Sequence, residues 1–326
     1  MATGSYVGDG VAGPRIVGLG FRPNVVLVKV DYTNATPSLG YAVLRSSTMT
    51  GDNTKPLIDP TALTANLIQS LDGDGFTLGN AENVNGLGTC GGPCTYYWVA
   101  FKANADLKVG TYTGNGAPTQ SITGLGFSPD YIITMPAVAK RALTRTSRGT
   151  NQSKRFDSSV KTDGIVSMDA NGFTVASAAL SNDDQNTDLT TYHYVAWNEA
   201  PGKVKVGEYT GDGNDGRNIT GVGFQPEFVF VQKYSHDREA RFRTGDMAGD
   251  PSATFGNEVA LPDRIKAFLP DGFQLGLHAD VNAPAGYCAG PANCEYAWVA
   301  FNAHSGCCAA LTTTDTGSVV TVTGRR

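Results

Sequence analysis

Charged residues are scarce in this chain: Asp, Glu, Lys and Arg together make up 17% of its 326 residues. Histidine occurs only four times, so few side chains titrate near neutral pH. The net charge of −5 argues against a nucleic-acid-binding protein, whose binding surface would be basic. No stretch of about 18 consecutive apolar residues occurs, and we therefore expect no insertion into a membrane.

Recognisable catalytic patterns are also missing. The sequence contains no Gly-x-Ser-x-Gly elbow, no His-x-x-x-His metal pair and no phosphate-binding loop. The first residues have neither a basic start nor an apolar stretch, which predicts that no signal peptide is present. Together these absences predict a protein that is not an enzyme and that uses no cofactor and no metal.

Glycine, in contrast, is abundant: 40 of the 326 residues are Gly, compared with about 7% in an average protein. One glycine-rich motif occurs three times, as Gly-Leu-Gly-Phe-Arg-Pro at residues 18–23, Gly-Leu-Gly-Phe-Ser-Pro at 124–129 and Gly-Val-Gly-Phe-Gln-Pro at 221–226. Each copy continues into a short apolar strand, then an Asp-Gly-Phe or Asn-Gly-Phe turn, and finally an aromatic closing strand. The chain therefore contains three copies of one module.

The spacing of the copies predicts the domain organisation. The turns begin at Asp74, Asn171 and Asp271, so they are 97 (171 minus 74) and 100 (271 minus 171) residues apart, about the length of one small domain. We predict an all-β protein of three tandem antiparallel β-sandwich modules at residues 1–104, 105–202 and 203–305. A short C-terminal strand or arm follows at residues 306–326. Because the joints between modules are short, the array should be semi-rigid.

Local patterns refine this prediction. The Asp74-Gly75 pair and its copies suit two-residue type I′ turns, which require positive φ at both central residues. In each closing strand a Trp (Trp98, Trp197 or Trp298) should anchor the core of its own module. Helical periodicity is weak throughout, and residues 59–70 are the best candidate for a short helix. Asp72 and Asp74 also suggest a calcium site, but turn formation is the favoured interpretation.

Six cysteines stand out in a chain without an export signal. Cys90 and Cys94, and likewise Cys288 and Cys294, bracket matching loops before the closing strands of modules one and three, which predicts two disulfides. Free thiols and metal binding are the alternatives, although the spacings differ from the Cys-x2-Cys of zinc sites. Cys307 and Cys308 are adjacent, so a bond between them is strained, and we expect interchain crosslinks or unpaired thiols there.

The modules differ most in charge. Module two carries six basic residues after its first apolar strand, namely Lys140, Arg141, Arg145, Arg148, Lys154 and Arg155. Module three has Arg238, Arg241 and Arg243 in the matching stretch, whereas module one has only Arg45. Such side chains form either a solvated face or a patch that binds an anionic partner, such as an acidic glycan or an acidic protein surface.

The order of these motifs resembles an uncharacterised repeat of bacteriophage tail and other virion proteins, and it spans residues 5–305. It is also similar, more distantly, to the H-type lectin β-sandwich, and that similarity implies sandwiches that associate in threes. Three copies on one chain could then imitate such a trimer. The lectin likeness transfers no sugar-binding residue to this chain.

The resemblance implies a non-enzymatic virion structural protein, either a fibre or appendage or a decoration of capsid or tail. Its expected partners are other virion proteins, further copies of the chain (a trimer being one form) and cell-surface glycans. Disulfides without a signal peptide fit a protein that is released by lysis and oxidised afterwards. The alternative is a secreted or surface carbohydrate-binding protein in which Tyr32, Tyr41 or Tyr234 stacks on sugar rings; peripheral core packing is the other interpretation of these tyrosines.

Overall fold

The fold is nearly all β in a computed structural model that describes residues 1–31, 40–87, 90, 92–149, 153–157, 160–161, 164–177, 181–288 and 294–303. These residues form 25 strands and one four-residue helix. The predicted C-terminal arm, residues 306–326, lies outside the described residues. The prediction of an all-β fold built from antiparallel β-sandwich modules is confirmed.

Each third of the chain forms one larger and one smaller antiparallel sheet. The first third contains β1 (Ala2–Val7), β2 (Arg15–Val17), β3 (Val25–Asp31), β4 (Val43–Ser46), β5 (Lys55–Pro56), β6 (Ile68–Asp72), β7 (Gly75–Leu78) and β8 (Thr95–Phe101). Its larger sheet has the order β1-β8-β3-β4-β5 and its smaller sheet the order β2-β7-β6. The two sheets enclose an apolar core that includes Ile16, Phe76 and Trp98.

The second third adds one strand to this pattern. It contains β9 (Leu107–Thr113), β10 (Thr119–Thr123), β11 (Tyr131–Pro136), β12 (Leu143–Thr146), β13 (Ser153–Lys154), β14 (Val160–Lys161), β15 (Ile165–Asp169), β16 (Gly172–Ala176) and β17 (Thr191–Trp197). The larger sheet has the order β14-β13-β12-β11-β17-β9, and the smaller sheet has the order β10-β16-β15.

The last third repeats the first and adds the helix. It contains β18 (Val204–Thr210), β19 (Arg217–Thr220), β20 (Phe228–Lys233), β21 (Arg241–Thr244), β22 (Ala253–Thr254), β23 (Ile265–Leu269), β24 (Gly272–Leu275), α1 (Ala279–Asn282) and β25 (Glu295–Phe301). The sheet orders are β18-β25-β20-β21-β22 and β19-β24-β23. The three sheet pairs therefore occupy residues 2–101, 107–197 and 204–301, and we call them modules 1, 2 and 3.

The central strand of each larger sheet is buried on both faces. In β3, Val26 and Val28 point toward the smaller sheet of module 1, whereas Val25 and Leu27 belong to a different apolar cluster. Side chains alternate between the two faces of a strand, so this division follows from the two-residue period. Burial on both faces explains why β3, β11 and β20 are almost continuously apolar instead of alternating with polar residues.

The second cluster is a core shared by all three modules. The last residues of the closing strands, Phe101, Trp197 and Phe301, touch one another, with ring centroids 5.3, 5.1 and 5.6 Å apart. Mutual contact of three equivalent residues requires that the modules surround a common axis. The chain is thus a three-module ring around one aromatic core, and its joints turn from module to module instead of extending a linear array.

This arrangement corrects the predicted role of one tryptophan. Trp98 and Trp298 lie in the cores of their own modules, as expected. Trp197 does not. It pairs with Tyr131, the first residue of β11, and therefore occupies the position that Phe101 and Phe301 have in the other modules. Tyr194 occupies the position of Trp98 and packs on Phe173. Trp197 therefore lies in the shared core.

The predicted type I′ turns are wrong. Asp72 pairs with Gly75, so the two loop residues are Gly73 and Asp74, and φ is not positive at either of them. In module 3 the first loop residue is Pro270, whose ring fixes a negative φ. In module 1 the glycine of the motif, Gly75, is the first residue of β7, and a side chain there would collide with the carbonyl oxygen of Ile16.

The aspartate of this turn has a structural role. The Asp74 carboxylate accepts hydrogen bonds from the backbone N–H groups of Gly18 and Gly20, in the Gly-x-Gly-Phe motif. Asp271 accepts the same pair from Gly221 and Gly223 in module 3. The two repeated motifs therefore depend on each other: one supplies the acceptor and the other supplies the donors.

Two further expectations concern the helix candidate at residues 59–70 and the calcium candidate Asp72. Residues 59–70 contain no helix; Asn66 has a φ of 63°, which an α-helix does not allow, and β6 begins at Ile68. Asp72, the calcium candidate, accepts hydrogen bonds from the hydroxyls of Ser70 and Thr77, both at 2.8 Å. It stabilises its own hairpin.

The shared core predicts a large loss of stability for Trp197→Ala. The substitution removes the largest ring of the aromatic contact and leaves a cavity, so the free energy of unfolding should fall by about 3–5 kcal/mol. Urea denaturation followed by circular dichroism measures this. Trp197→Phe is the matched control, because Phe occupies the equivalent positions in modules 1 and 3, and it should cost clearly less. Equal losses for both variants would contradict the shared aromatic core.

The turn aspartate predicts a smaller, graded effect. Asp74→Ala leaves the N–H groups of Gly18 and Gly20 without their acceptor, and by analogy with lost helix caps it should cost about 1 kcal/mol. Asp74→Asn retains one acceptor oxygen, as Asn171 does for Gly126 in module 2. It should therefore cost less than Asp74→Ala in the same denaturation experiment, and the reverse order would rule out this interpretation.

Candidate functional site

The six basic residues of module 2 do not form one exposed patch. Arg145 is buried and donates a hydrogen bond to the carbonyl oxygen of Ile165 at 2.6 Å. Its equivalents Arg45 and Arg243 make the same contact with Ile68 and Ile265. A residue with the same partner in every module is part of the scaffold.

Lys154 is also buried, at the junction between modules 2 and 3. Its ammonium group donates to the backbone carbonyl oxygens of Lys233 and His236. Lys55, at the same position in module 1, donates to the carbonyl oxygens of Val138 and Lys140 in module 2. Burial lowers the pKa of both lysines to about 7. These two lysines join successive modules.

The other four basic residues have carboxylate partners. Lys140 lies 3.7 Å from Asp184, Arg141 lies 3.9 Å from Asp157, Arg148 lies 3.9 Å from Glu199, and Arg155 is paired with Asp183. Of these, Arg148 is the most exposed. The stretch is a network of ion pairs and junction contacts, and we do not propose an anion-binding site there.

The four cysteines of the two predicted disulfides lie together as expected. Cys90 and Cys94 form one pair with Cα atoms 5.4 Å apart, and Cys288 and Cys294 form the other at 5.5 Å. Each disulfide closes the loop before a closing strand, β8 or β25. Cys307 and Cys308 lie outside the described residues, so their interchain crosslinking stays a prediction.

The tyrosines suggested for sugar stacking are not exposed platforms. Tyr32 lies outside the described residues. Tyr41 is half-buried, and burial together with a hydrogen bond to Asp59 raises its pKa. Tyr234 is half-buried against Gly149 at the junction of modules 2 and 3. These contacts agree with peripheral packing. Among the described residues, Tyr287 is an exposed tyrosine, with 51% of its surface accessible.

A charged cleft of about 670 Å³ lies in module 3, beside module 1. We define the module 3 cleft by residues of β21, α1 and the loops around them: Asp237, Arg238, Glu239, Arg241, Glu258, Arg264, His278 and Asp280. Asn257, next to Glu258, accepts a hydrogen bond from the Gly40 N–H of module 1 at 2.6 Å. The wall of the cleft is therefore held in place by the contact between the first and last modules.

The floor of the cleft is a buried ion pair. Arg241 donates to Asp280 through Nε at 2.8 Å, and its Nη2 lies 2.6 Å from the same carboxylate and 2.9 Å from Glu258. Both Arg241 and Asp280 are 3% exposed. Removing one partner would leave an uncompensated buried charge, so each holds the other in position.

Three polar atoms around the cleft have no hydrogen-bond partner in the part of the chain that the structure describes. Arg241 Nη1, Glu239 Oε2 and Arg264 Nε have no hydrogen-bond partner among the described residues, although Arg264 Nε lies 3.8 Å from Asp280 and Glu239 Oε2 lies 3.9 Å from Arg241 Nη2. Buried polar atoms in folded proteins are normally paired with protein or with ordered water. These three atoms are buried, and the polar groups that a ligand in the cleft would meet are the more exposed side chains Arg238, Glu258 and His278, which can both donate and accept.

Titration in the cleft is shifted by burial. Burial and the neighbouring carboxylate of Glu258 raise the pKa of Glu239 to about 7, against the opposite effect of Arg241. Burial lowers the pKa of His278, and Arg264, Arg241 and Arg238 add to that effect, while Asp280 opposes it. Behind the cleft, burial lowers the pKa of Lys29 of module 1 to about 7. The site is therefore less charged near neutral pH than its composition indicates.

The sequence identified only part of this cleft. The sequence pattern marks Arg238 and Arg241 as basic residues of module 3, but it does not connect them with Glu239, Glu258, Arg264, His278 and Asp280. A signal was present in the repeats: the positions of Arg241 and Arg264 are Val43 and Leu67 in module 1 and Leu143 and Gly164 in module 2. A charged residue at a repeat position that is uncharged in the other two modules therefore marks where module 3 differs from them.

Comparisons with known proteins add little on function. A family model described as a domain of unknown function (DUF7483) matches residues 102–207, which is module 2 with the start of β18. Searches of curated proteins and of solved structures found no match. Within the described residues, no group of three or more His, Cys, Asp and Glu side chains could hold a metal ion, and no helix is long and apolar enough to cross a membrane.

The raised pKa of Glu239 predicts a pH-dependent effect of Glu239→Gln. A carboxyl group whose pKa is higher in the folded than in the unfolded state binds more protons when folded, so its contribution to the free energy of unfolding falls as pH rises through this interval. Glutamine does not titrate. The difference in unfolding free energy between Glu239→Gln and the wild type should therefore change in favour of the variant between about pH 5 and pH 8.

Urea denaturation at a series of pH values measures this difference. Parallel pH profiles for the two proteins would show that the Glu239 carboxyl group titrates alike in the folded and unfolded states.

Proposed function

We propose that this chain is a non-enzymatic structural protein of a bacteriophage virion, either a fibre or appendage component or a decoration of capsid or tail. The observation that carries the proposal is the shared aromatic core, which makes three sandwich modules into one rigid body. Such a body presents loops in three directions from a common axis, and it suits attachment to a particle better than turnover of a substrate.

Three further features support the proposal. The order of the sequence motifs in each module resembles that of a repeat found in phage tail and other virion proteins. Two loops are closed by disulfides, which fits a protein that functions outside the cell. The three modules surround one axis within a single chain, so a three-fold body does not require three chains. Self-association and contacts with other virion proteins would use surfaces beyond the shared core.

The proposal predicts that the protein is found on particles. Virions from a lysed culture are separated on a density gradient, and the chain is detected by mass spectrometry in each fraction. We expect it to co-sediment with the particles and to remain after a high-salt wash that removes host cytosolic proteins. The same fractions, run on gels with and without reductant, show whether Cys307 and Cys308 crosslink chains of 34.2 kDa. A chain found only in particle-free medium would contradict a virion location.

Carbohydrate binding by a secreted or surface protein is the second candidate function. The specific observation in its favour is the module 3 cleft, with its mixture of guanidinium and carboxylate groups and its unpaired polar atoms. The two candidates use the same scaffold and differ in where the protein acts, so the sedimentation experiment separates them. A virion protein that contacts a host surface would combine both.

A further inference from the structure

We propose that the module 3 cleft is a saccharide-binding site, one per chain, in which the more exposed side chains Arg238, Glu258 and His278 hydrogen-bond the hydroxyl groups of one or two sugar rings. The buried Arg241–Asp280 pair beneath them holds these side chains in position. The inference deepens the second candidate function and rests on it; it holds whether or not the protein belongs to a virion. The volume of the cleft supports the proposal, because about 670 Å³ lies within the usual range of small-molecule sites, about 300–1,000 Å³.

The charges of the cleft favour a neutral polar ligand. Three guanidinium groups (Arg238, Arg241 and Arg264) face four carboxyl groups (Asp237, Glu239, Glu258 and Asp280), so no positive field attracts a polyanion. Arg241 is already neutralised by Asp280 and Glu258. A ligand that brought another charge into this site would need a further counter-charge to compensate for its desolvation.

The exposed polar groups of the cleft match hydroxyl groups. Arg238 can donate hydrogen bonds and Glu258 can accept them, and both side chains are more exposed than the Arg241–Asp280 pair below them. A sugar hydroxyl donates and accepts at the same time, so neighbouring hydroxyls can bridge a guanidinium and a carboxylate. Hydrogen bonds to charged groups are the stronger kind, which makes such bridges effective for orientation.

The rim of the cleft is held in place. Arg238 donates a hydrogen bond to the Tyr287 hydroxyl and lies over the Tyr287 ring at 5.5 Å from its centroid. It also lies 3.9 Å from Asp280. These contacts fix the guanidinium at the edge of the cleft, and pre-organised groups lose less entropy when a ligand binds.

The other modules lack the site. Module 1 has Val43 at the position of Arg241 and Asn83 at the position of Asp280, and module 2 has Leu143 and Asp184 there. Repeats that share a scaffold but differ in the buried charges of one cleft indicate a property of module 3 alone. They also provide a variant with a precedent in the same chain.

The test uses the double substitution Arg241→Val, Asp280→Asn, which reproduces the Val43 and Asn83 pair of module 1. The full-length wild type is first applied to an array of immobilised neutral, uronate-containing and sulfated oligosaccharides. We expect binding to a neutral oligosaccharide. Titration calorimetry with that oligosaccharide should show at least about tenfold weaker binding for the double variant, which corresponds to about 1.4 kcal/mol.

Controls separate the site from the fold. The double variant should unfold at a similar urea concentration, and a collapse of stability would shift the test to Arg264→Leu, the residue of module 1 at that position. Lys266→Gln, which removes a cation paired with Asp215 outside the cleft, should bind as the wild type does. Loss of binding in either cleft variant, with folding intact and the Lys266 variant unaffected, supports the proposal.

The failures are distinguishable. A wild type that binds no oligosaccharide on the array overturns saccharide binding as a function. Wild-type binding that the cleft variants retain overturns this site and keeps the function. Binding confined to uronate-containing or sulfated oligosaccharides and abolished by moderate salt would show a polyanion-binding surface and would overturn the saccharide proposal. Displacement of the bound oligosaccharide by zwitterionic dipeptides would assign the cleft to peptides.

Discussion

Burial of both faces of the larger sheets is the constraint on which this structure depends. One face of each sheet packs on the smaller sheet of its own module, and the other packs on the shared core around Phe101, Trp197 and Phe301. A strand in that position can carry few polar side chains, and those it carries must be satisfied internally. Arg45, Arg145 and Arg243 meet this requirement in the same way, through backbone carbonyl oxygens.

The three junctions between modules obey the same constraint with different residues. At the first two junctions a buried lysine, Lys55 or Lys154, donates to carbonyl oxygens of the next module. At the junction that closes the ring Ala253 stands in that position, and Lys29 of module 1 lies close enough to Glu239 and Glu258 to interact electrostatically. The cleft lies beside this third junction. The junction that closes the ring thus differs from the other two, and the cleft beside it carries charges that replace apolar residues of the other modules.

The repeat made the fold class predictable, and local chemistry made the cysteine pairs predictable. Glycine, proline and aromatic residues at fixed spacing indicate short strands and hairpins regardless of what surrounds them. The predicted turn type is wrong because the loop lies one position before the Asp74-Gly75 pair; Asp72 pairs with Gly75, so Gly73 and Asp74 form the loop. A hairpin register depends on cross-strand pairing, which a dipeptide pattern does not contain.

The basic cluster of module 2 shows why the site was harder to predict. Its six residues are near neighbours in sequence, but their partners are distant: Arg155 meets Asp183, and Lys154 meets the Lys233 carbonyl of another module. Conversely, Arg241 and Asp280 are 39 residues apart and form one ion pair. Exposure and pairing of a charge are properties of the folded surroundings, whereas sequence proximity reports only which charges could share a loop.

By itself the amino-acid sequence determined the number of modules, their all-β nature and the places where the chain turns, because hairpins and strand alternation are encoded over a few residues. Only the tertiary structure decided that the modules close around one core, that Trp197 lies there instead of in its own module, and that the unused charges gather beside module 1. The physical reason is that alternation assigns a side chain to a face of a strand but not to the surface that the face will meet.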